Sequence, residues 1–289
     1  MQRAGETVLL IHHNRGVAAS IQEKGVRIRE LSGKVVCVQI QTRTKLSRLD
    51  KPDIVLVTVK AYDSEAVASL LKKSLVDNVP VLSIQNGLGN VEELTHRLGA
   101  DSTIAGTTTE GAMTTGPGAV IHTGRGSTWL GEMNGKLTDR CLTIEKALRK
   151  AGFITVISNN IKGVLWAKAI VNSAINPITA ITQVRNGDIR RIPELHKAAS
   201  KVVDEGVAVA QANGILLKPS PKSLLANILV GTLCNKSSML QDIESGRKTE
   251  IRQLNGSISR QGNLVGVRTP FNDLLTNLVV ALERPQRNL

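Results

Sequence analysis

Residues 53–84 read DIVLVTVKAYDSEAVASLLKKSLVDNVPVLSI, and their pattern decides the fold class. Asp53–Val59 and Val79–Ile84 are short β-branched runs of the kind buried in a parallel sheet. Ser64–Leu75 between them is spaced as an amphipathic helix. Strand, helix and strand in succession make the crossover unit of a doubly wound α/β sheet. Outward from it, Thr7–Ile11 and Thr103–Gly106 predict further strands, and Val17–Lys24 and Glu92–Leu98 predict helices. Gly116–Gly131 (GPGAVIHTGRGSTWLG) changes character, and its glycine-punctuated alternation predicts antiparallel hairpin strands.

Strand signals stop near residue 160. Helix-period segments follow at Ile161–Ile175, Glu194–Asn213, Ser223–Leu233, Thr249–Ser259 and Phe271–Glu283. Residues 1–159 are therefore expected to form an α/β domain and residues 160–289 an all-helical one. No Ser/Gly linker, internal repeat or low-complexity tract interrupts the 289 residues.

The formal net charge is +13, with 20 basic and 15 acidic residues in 1–159 and 17 and 9 in 160–289. An excess spread this evenly suits small anionic molecules drawn in by the field rather than a nucleic acid. The five aromatics (Tyr62, Trp129, Phe153, Trp166 and Phe271) are too few and scattered for a base-stacking surface. No nucleic-acid partner is expected. Cys37, Cys141 and Cys234 are odd in number and in no metal-ligand spacing, so reduced thiols, no metal and a cytoplasmic location are expected. Met1–Ile11 does not read as a signal peptide, and no apolar run approaches the roughly 18–20 residues that span a bilayer. No membrane partner is expected either.

Val164–Ile181 (VLWAKAIVNSAINPITAI) is apolar apart from Lys168, Asn172, Ser173, Asn176 and a threonine. Lys168, Asn172 and Asn176 recur every fourth residue and share one stripe of a helix. The stripe either faces water or lines a polar pocket. A solvated face usually carries several charges, and here there is one lysine and no carboxylate. Pro177 follows directly and predicts a kink or break. In 235–258 (NKSSMLQDIESGRKTEIRQLNGSI), Ser237 or Ser238 can cap a helix, with Gln241 three after Ser238 completing a capping box. Gly246 should interrupt that helix, and Glu250 should open the next. Ser83–Asn90 (SIQNGLGN) and Val59–Asp63 (VKAYD) follow strands, where an open α/β sheet binds its ligands.

Together these stretches resemble the ketopantoate reductase (2-dehydropantoate 2-reductase) family. The likeness runs through VTVKAYDS (57–64), SIQNGLGN (83–90), TTTEGAMTTGPGAVIHTGRG (107–126), LWAKAIVNSAINPITAI (165–181), SSMLQDIESGRKTEI (237–251) and TPFNDLL (269–275), in family order. It implies a Rossmann domain joined to a helical domain that reduces 2-dehydropantoate, a small anionic 2-oxo acid, to pantoate with NADPH, on the way to coenzyme A. Carried over, the proton donor is Lys168, and the substrate-binding amides are Asn172, Asn176 and, more weakly matched, Asn186. Ser238 contacts substrate, and Glu250 serves the catalytic cleft and the cofactor. Asn86 lies near cofactor and substrate, Ala112 offers backbone to the nicotinamide side, and Lys60 lies near the 2′-phosphate or the substrate entrance. The resemblance admits a homodimer. It also leaves two alternatives: a reductase of another 2-oxo acid, and a non-catalytic relative that binds a small molecule or a partner.

The departure is at the front. The family opens with a strand, a Gly-x-Gly-x-x-Gly loop and a helix, whereas Met1–Gly5 resembles the end of that helix. A start-site truncation and a genuinely short relative both account for this, and a glycine-rich segment encoded upstream decides for the first. In dinucleotide folds the position after the second strand reads the adenine ribose. Here it holds His12-His13-Asn14-Arg15, a basic, acid-free tetrad that suits the 2′-phosphate of NADP(H), with Arg15 as its charge, or else forms an ordinary basic turn.

Overall fold

The computed structural model describes residues 1–76 and 78–284, and its first half mixes strands and helices. They run β1 (Leu9–Ile11), α1 (Arg15–Lys24), β2 (Val26–Arg29), β3 (Val35–Val38), β4 (Gln41–Arg43), β5 (Val55–Val57), α2 (Ser64–Ser74), β6 (Val81–Ser83), α3 (Asn90–Leu98), β7 (Thr103–Thr108), β8 (Gly111–Gly116), β9 (Ala119–Gly124), β10 (Ser127–Gly131), α4 (Asp139–Lys150) and β11 (Ile154–Ile157). The helical remainder is α5 (Ile161–Thr182), α6 (Asn186–Arg191), α7 (Pro193–Ala212), α8 (Pro221–Gly231), α9 (Ser238–Glu244), α10 (Asn255–Leu264) and α11 (Pro270–Leu282). The chain divides into two units. The first comprises Met1–Val57, Glu65–Ile84 and Leu94–Asn159; the second comprises Thr58–Ser64, Gln85–Glu93 and the chain from Asn160 on.

In the first unit, β5, β6 and β7 pair in parallel, with Val55 opposite Val81 and Val81 opposite Thr103. The five-stranded sheet has the order β11-β10-β7-β6-β5. Its β10 is antiparallel to β7 and parallel to β11. The stretch 116–131 does not form a hairpin of its own as expected: β9 forms its antiparallel hairpin with the preceding β8, and β10 joins the larger sheet. Strands β2, β3 and β4 are additions to the sequence reading. β2 pairs with β3 and β9 in a four-stranded sheet, and β4 pairs in parallel with β1. Val26–Arg29 alternates half-buried and exposed residues, so its two arginines face solvent and hide a strand signal. Leu82, Ile104, Leu130, Ile144 and Leu148 fill the core against α4. Under it, Arg140 reaches the buried Glu132 at 2.6 Å. Burial alone would raise the Glu132 carboxyl, and hydrogen bonds from Arg140 and Thr138 outweigh it and hold it low.

The second unit is built on α5. Trp166, Ile170, Ala174 and Ile178 pack with Ala199, Val202 and Val203 of α7 and Leu225 and Leu229 of α8. A Cβ at Gly206 would lie 2.8 Å from Ile170 Cγ1, so α7 approaches α5 closely where it carries no side chain. The helix does not break at Pro177; it continues to Thr182. Proline cannot donate to the carbonyl four residues back, Ser173 O, and that carbonyl instead accepts the Asn255 side-chain amide at 2.9 Å. Asn255 Nδ2 also reaches Asn272 Oδ1, and Asn272 Nδ2 in turn donates to Glu205. A buried amide chain thereby ties α10, α11 and α7 to the proline turn. By length and composition alone α5 could cross a membrane, contrary to the sequence expectation, but 78% of its most apolar window is buried in protein, as in a core helix.

Candidate active site

Lys168 lies near the middle of α5, among Ala167, Ala169 and Ile170, which are buried. Its aliphatic stem suits that packing, and its ammonium needs a polar partner. Nζ donates to Asn86 Oδ1 at 3.0 Å. Burial pushes the ammonium pKa down to about 8, opposed by the nearby Glu250 carboxylate, which raises it.

Asn86 is held by its loop. Gly87 has φ +85°, and a Cβ there would lie 2.5 Å from Gln253 O, so both conformation and close approach require glycine. Leu88 N–H donates to the same Gln253 carbonyl at 2.9 Å. Asn90 Nδ2 donates to Asn86 O at 2.8 Å, and Gln85 Nε2 donates to Val59 O and Ser64 Oγ. The loops that follow β5 and β6 in sequence are thereby bonded to each other within the second unit.

Glu250 is 6% exposed. It does not open a helix, as its spacing suggested; it sits in the turns between α9 and α10, which begins only at Asn255. Gly246, with φ +63°, lies just past the end of α9. From this turn Glu250 Oε1 accepts the Ala61 N–H at 2.8 Å, and Oε2 lies 3.9 Å from Lys60 Nζ. Lys60 is nearer to Asp242 Oδ2, at 2.5 Å, while Arg247 Nε donates to Asp242 Oδ1 at 3.0 Å.

The structure thus brings together Lys60, Asn86, Lys168 and Glu250. Asn172, half-buried, and Asn176, buried, follow Lys168 along α5. Ser238 is exposed in the first turn of α9, where the cap is Ser237: its Oγ accepts the Leu240 N–H and the Thr179 hydroxyl. The capping box does not form, because Gln241 donates to Lys236 O instead. Asn186 is bound elsewhere, by Nδ2 to Thr232 Oγ1 and by its N–H to Asn235 O, at the start of α6. Ala112 on β8 and Arg15 at the start of α1 are exposed in the first unit.

Sequence reasoning passed over Asp242, Arg247, Gln85, Ser64 and Asn90. One signal pointed to Asp242: three residues after Met239 and next to Ile243, it falls on the apolar side of a short helix, where an uncompensated carboxylate is costly.

The donor set fits the reactive end of a nicotinamide reductase: a half-buried acid on a core helix, an amide that orients it and a carboxylate that supports its charge. It does not include a pyrophosphate nest. Among the described residues the strand-to-helix turn richest in glycine is 84–89, and its Gly87 is committed to Gln253. The turn from β1 to α1 has Asn14 as cap, accepting the Val17 N–H, and Gly16 as its first glycine.

Comparison with known proteins points to one family. The family model described as ketopantoate reductase PanE/ApbA matches residues 1–135, and its C-terminal counterpart matches residues 160–283. The 2-dehydropantoate 2-reductase of Archaeoglobus fulgidus is 38% identical over 286 residues, covering 98% of this chain and 92% of that protein. That of Pyrococcus horikoshii is 39% identical over 284 residues, with the same coverage. Among solved structures, a PanE/ApbA family ketopantoate reductase from Ralstonia eutropha superposes with a TM-score of 0.87 at 31% identity, covering 97% of this chain and 92% of that one. D-mandelate dehydrogenase, solved with NADH and anilino(oxo)acetate, superposes with a TM-score of 0.91 at 28% identity, covering 98% and 92%. With both halves matched by its models, the chain belongs to the ketopantoate reductase family.

Proposed function

We propose that the chain reduces 2-dehydropantoate to pantoate with NADPH, a step towards coenzyme A, in the cytoplasm. The observation that carries this reading is Lys168: a lysine in the wall of a core helix, fixed by Asn86 and with its pKa brought down to about 8. A general acid works best with a pKa near the operating pH, and an unperturbed lysine lies too high. A bound nicotinamide supplies the hydride. As the C2 carbonyl is reduced, Lys168 Nζ gives its proton to the developing alkoxide oxygen, ends as a neutral amine and recovers a proton from solvent. Glu250 supports the ammonium before that transfer. Asn172, Asn176 and Ser238 hold the carboxylate and hydroxyls of the substrate, and Asn86 keeps Nζ aimed. Lys60 and Arg15 serve the phosphate-bearing cofactor, and Ala112 offers backbone to its nicotinamide side.

The match to D-mandelate dehydrogenase favours a second reading, reduction of a 2-oxo acid with a bulkier side chain. The same acid and amides serve either substrate, and what differs is the space around the side chain. Steady-state oxidation of NADPH and of NADH, each with 2-dehydropantoate and with an aryl 2-oxo acid, separates the cases. Turnover of 2-dehydropantoate with NADPH preferred is expected. Turnover of the aryl acid alone gives the second reading. Binding of either acid without turnover makes the chain a binder on a reductase fold.

A further inference from the structure

Two buried carboxylates in the second unit, Asp242 and Glu250, serve three cations: Lys60, Arg247 and Lys168. The distances show how they are shared. Lys60 Nζ is 2.5 Å from Asp242 Oδ2 and 3.9 Å from Glu250 Oε2. Arg247 occupies the other Asp242 oxygen at 3.0 Å. Asp242 is 3% exposed, so both oxygens are out of water and both are filled by cations. Nothing in the reduction uses this carboxylate. A buried anion without a task is expensive.

We propose that Asp242 is a positioning residue: it holds the Lys60 ammonium off Glu250 and so reserves the Glu250 carboxylate for Lys168. This deepens the reductase reading, because that is where Lys168 gives up its proton. Lys60 sits on a flexible four-carbon stem, and Glu250 is the other carboxylate in its reach. Without the Asp242 charge, a shift of about 1 Å brings Lys60 into direct contact with Glu250. Glu250 is then neutralised from the wrong side, and Lys168 keeps its burial but loses the charge that opposes it.

The surrounding charges leave this sharing to Asp242. Arg247 is more than half exposed and relaxes into solvent when released. Tyr62 is raised first by burial and then by Asp63, Asp242 and Glu250, so it enters as a neutral phenol. Lys248 lies over its ring, 4.7 Å from the centroid. On α9, Glu244 is paired with Lys236 at 2.5 Å. Lys168 itself faces Asn86 Oδ1 and, through space, Glu250.

The test reads Lys168 directly and needs neither cofactor nor turnover. With 13C-labelled lysine, the Lys168 Cε resonance, assigned by its loss in Lys168→Arg, is titrated by NMR in the full chain. The wild-type midpoint is expected at about 8. Asp242→Asn should lower it by about one pH unit, the scale of losing one close opposite charge. Asp242→Glu, which keeps the charge, should leave it in place. In Lys60→Met/Asp242→Asn the midpoint should recover most of the loss, because the competitor for Glu250 is gone. An unmoved midpoint in Asp242→Asn overturns the proposal. So does a double variant as low as the single one, since Asp242 would then act on Lys168 directly. Asp242→Ser, smaller and open to water, carries the same expectation if the amide variant fails to fold. Absence of reductase turnover with this titration pattern intact overturns the reductase reading and leaves the charge arrangement standing.

Discussion

Lys168 was legible in the sequence because one lysine and two asparagines repeat every four residues on an otherwise apolar helix. Its partners Asn86 and Glu250 were named only through the family resemblance, because no local pattern reaches them: Asn86 lies 82 residues away and Glu250 meets the backbone of Ala61 across 189. Lys168→Ala should lower kcat by about 10²–10⁴-fold at unchanged fold, the usual range for losing a general acid. Asn172→Ala and Asn176→Ala should raise KM more than they lower kcat if their amides hold the ground-state substrate. Steady-state kinetics on the three variants checks both statements, and a near-normal kcat in Lys168→Ala removes the catalytic role. The lowered pKa also has a stability consequence. Below about 8 the ammonium is charged in both states, and the native state carries the full penalty of burying it. Between about 8 and the ordinary value of 10.5 the unfolded chain holds a proton that the native state has released, so this contribution to stability rises with pH. Lys168→Met should therefore be more stable than wild type at pH 7, by about 1–3 kcal/mol with solvent screening allowed for, and the gap should shrink by pH 9.5. Thermal melts at the two pH values decide it; a Met variant less stable at pH 7 would show that Asn86 and Glu250 more than compensate the burial.

At the scale of elements, the helix through Pro177 is the clearest case of a sound local rule overridden by tertiary structure. Proline removes one donor, and the residue that replaces it, Asn255, is 82 positions from the carbonyl it serves. A local reading has no access to that bond. The same limit applies to Glu250: its turn is closed locally by Gln253 and Leu254 N–H on the Glu250 carbonyl, but it is also tied to Leu88 and Ala61, far away in sequence. Elements set by uninterrupted periodicity, such as α2, α7 and α11, lie within a residue or two of their sequence-based bounds. Asn255→Leu should destabilise the protein by about 2–3 kcal/mol, because it strands the Ser173 carbonyl and Asn272 Oδ1 in a dry interior. Pro177→Ala restores the backbone N–H that Asn255 replaces. In that background Asn255→Leu should cost less, and urea unfolding of the two single variants and the double one measures the coupling. Strict additivity would show that the amide and the proline turn are independent.

For the whole molecule, what sequence conveyed was a charge balance and a division at residue 160; which loops join which unit emerged only from long-range contacts, as 58–64 and 85–93 show. If the turn at 12–15 reads a 2′-phosphate, Arg15→Ala should narrow the NADPH-to-NADH ratio of kcat/KM, and an unchanged ratio makes that turn a surface feature. The net charge of +13 is divided between the two halves of the chain, so both contribute to the field that draws in an anion. Such a field is screened over about 30 Å at 0.01 M salt but over less than 10 Å above 0.1 M. Lys168, half-buried in the wall of α5 and held by Asn86, is largely shielded from mobile ions at either concentration. The two contributions therefore separate with ionic strength. Between about 10 mM and 300 mM inert salt, KM for the anionic 2-oxo acid should rise several-fold while kcat stays constant, because capture depends on the outer field and proton transfer on the buried group. A flat KM would place all useful charge inside the site. A falling kcat would instead mean that ions reach Lys168, against its burial and against the pKa of about 8 that follows from it.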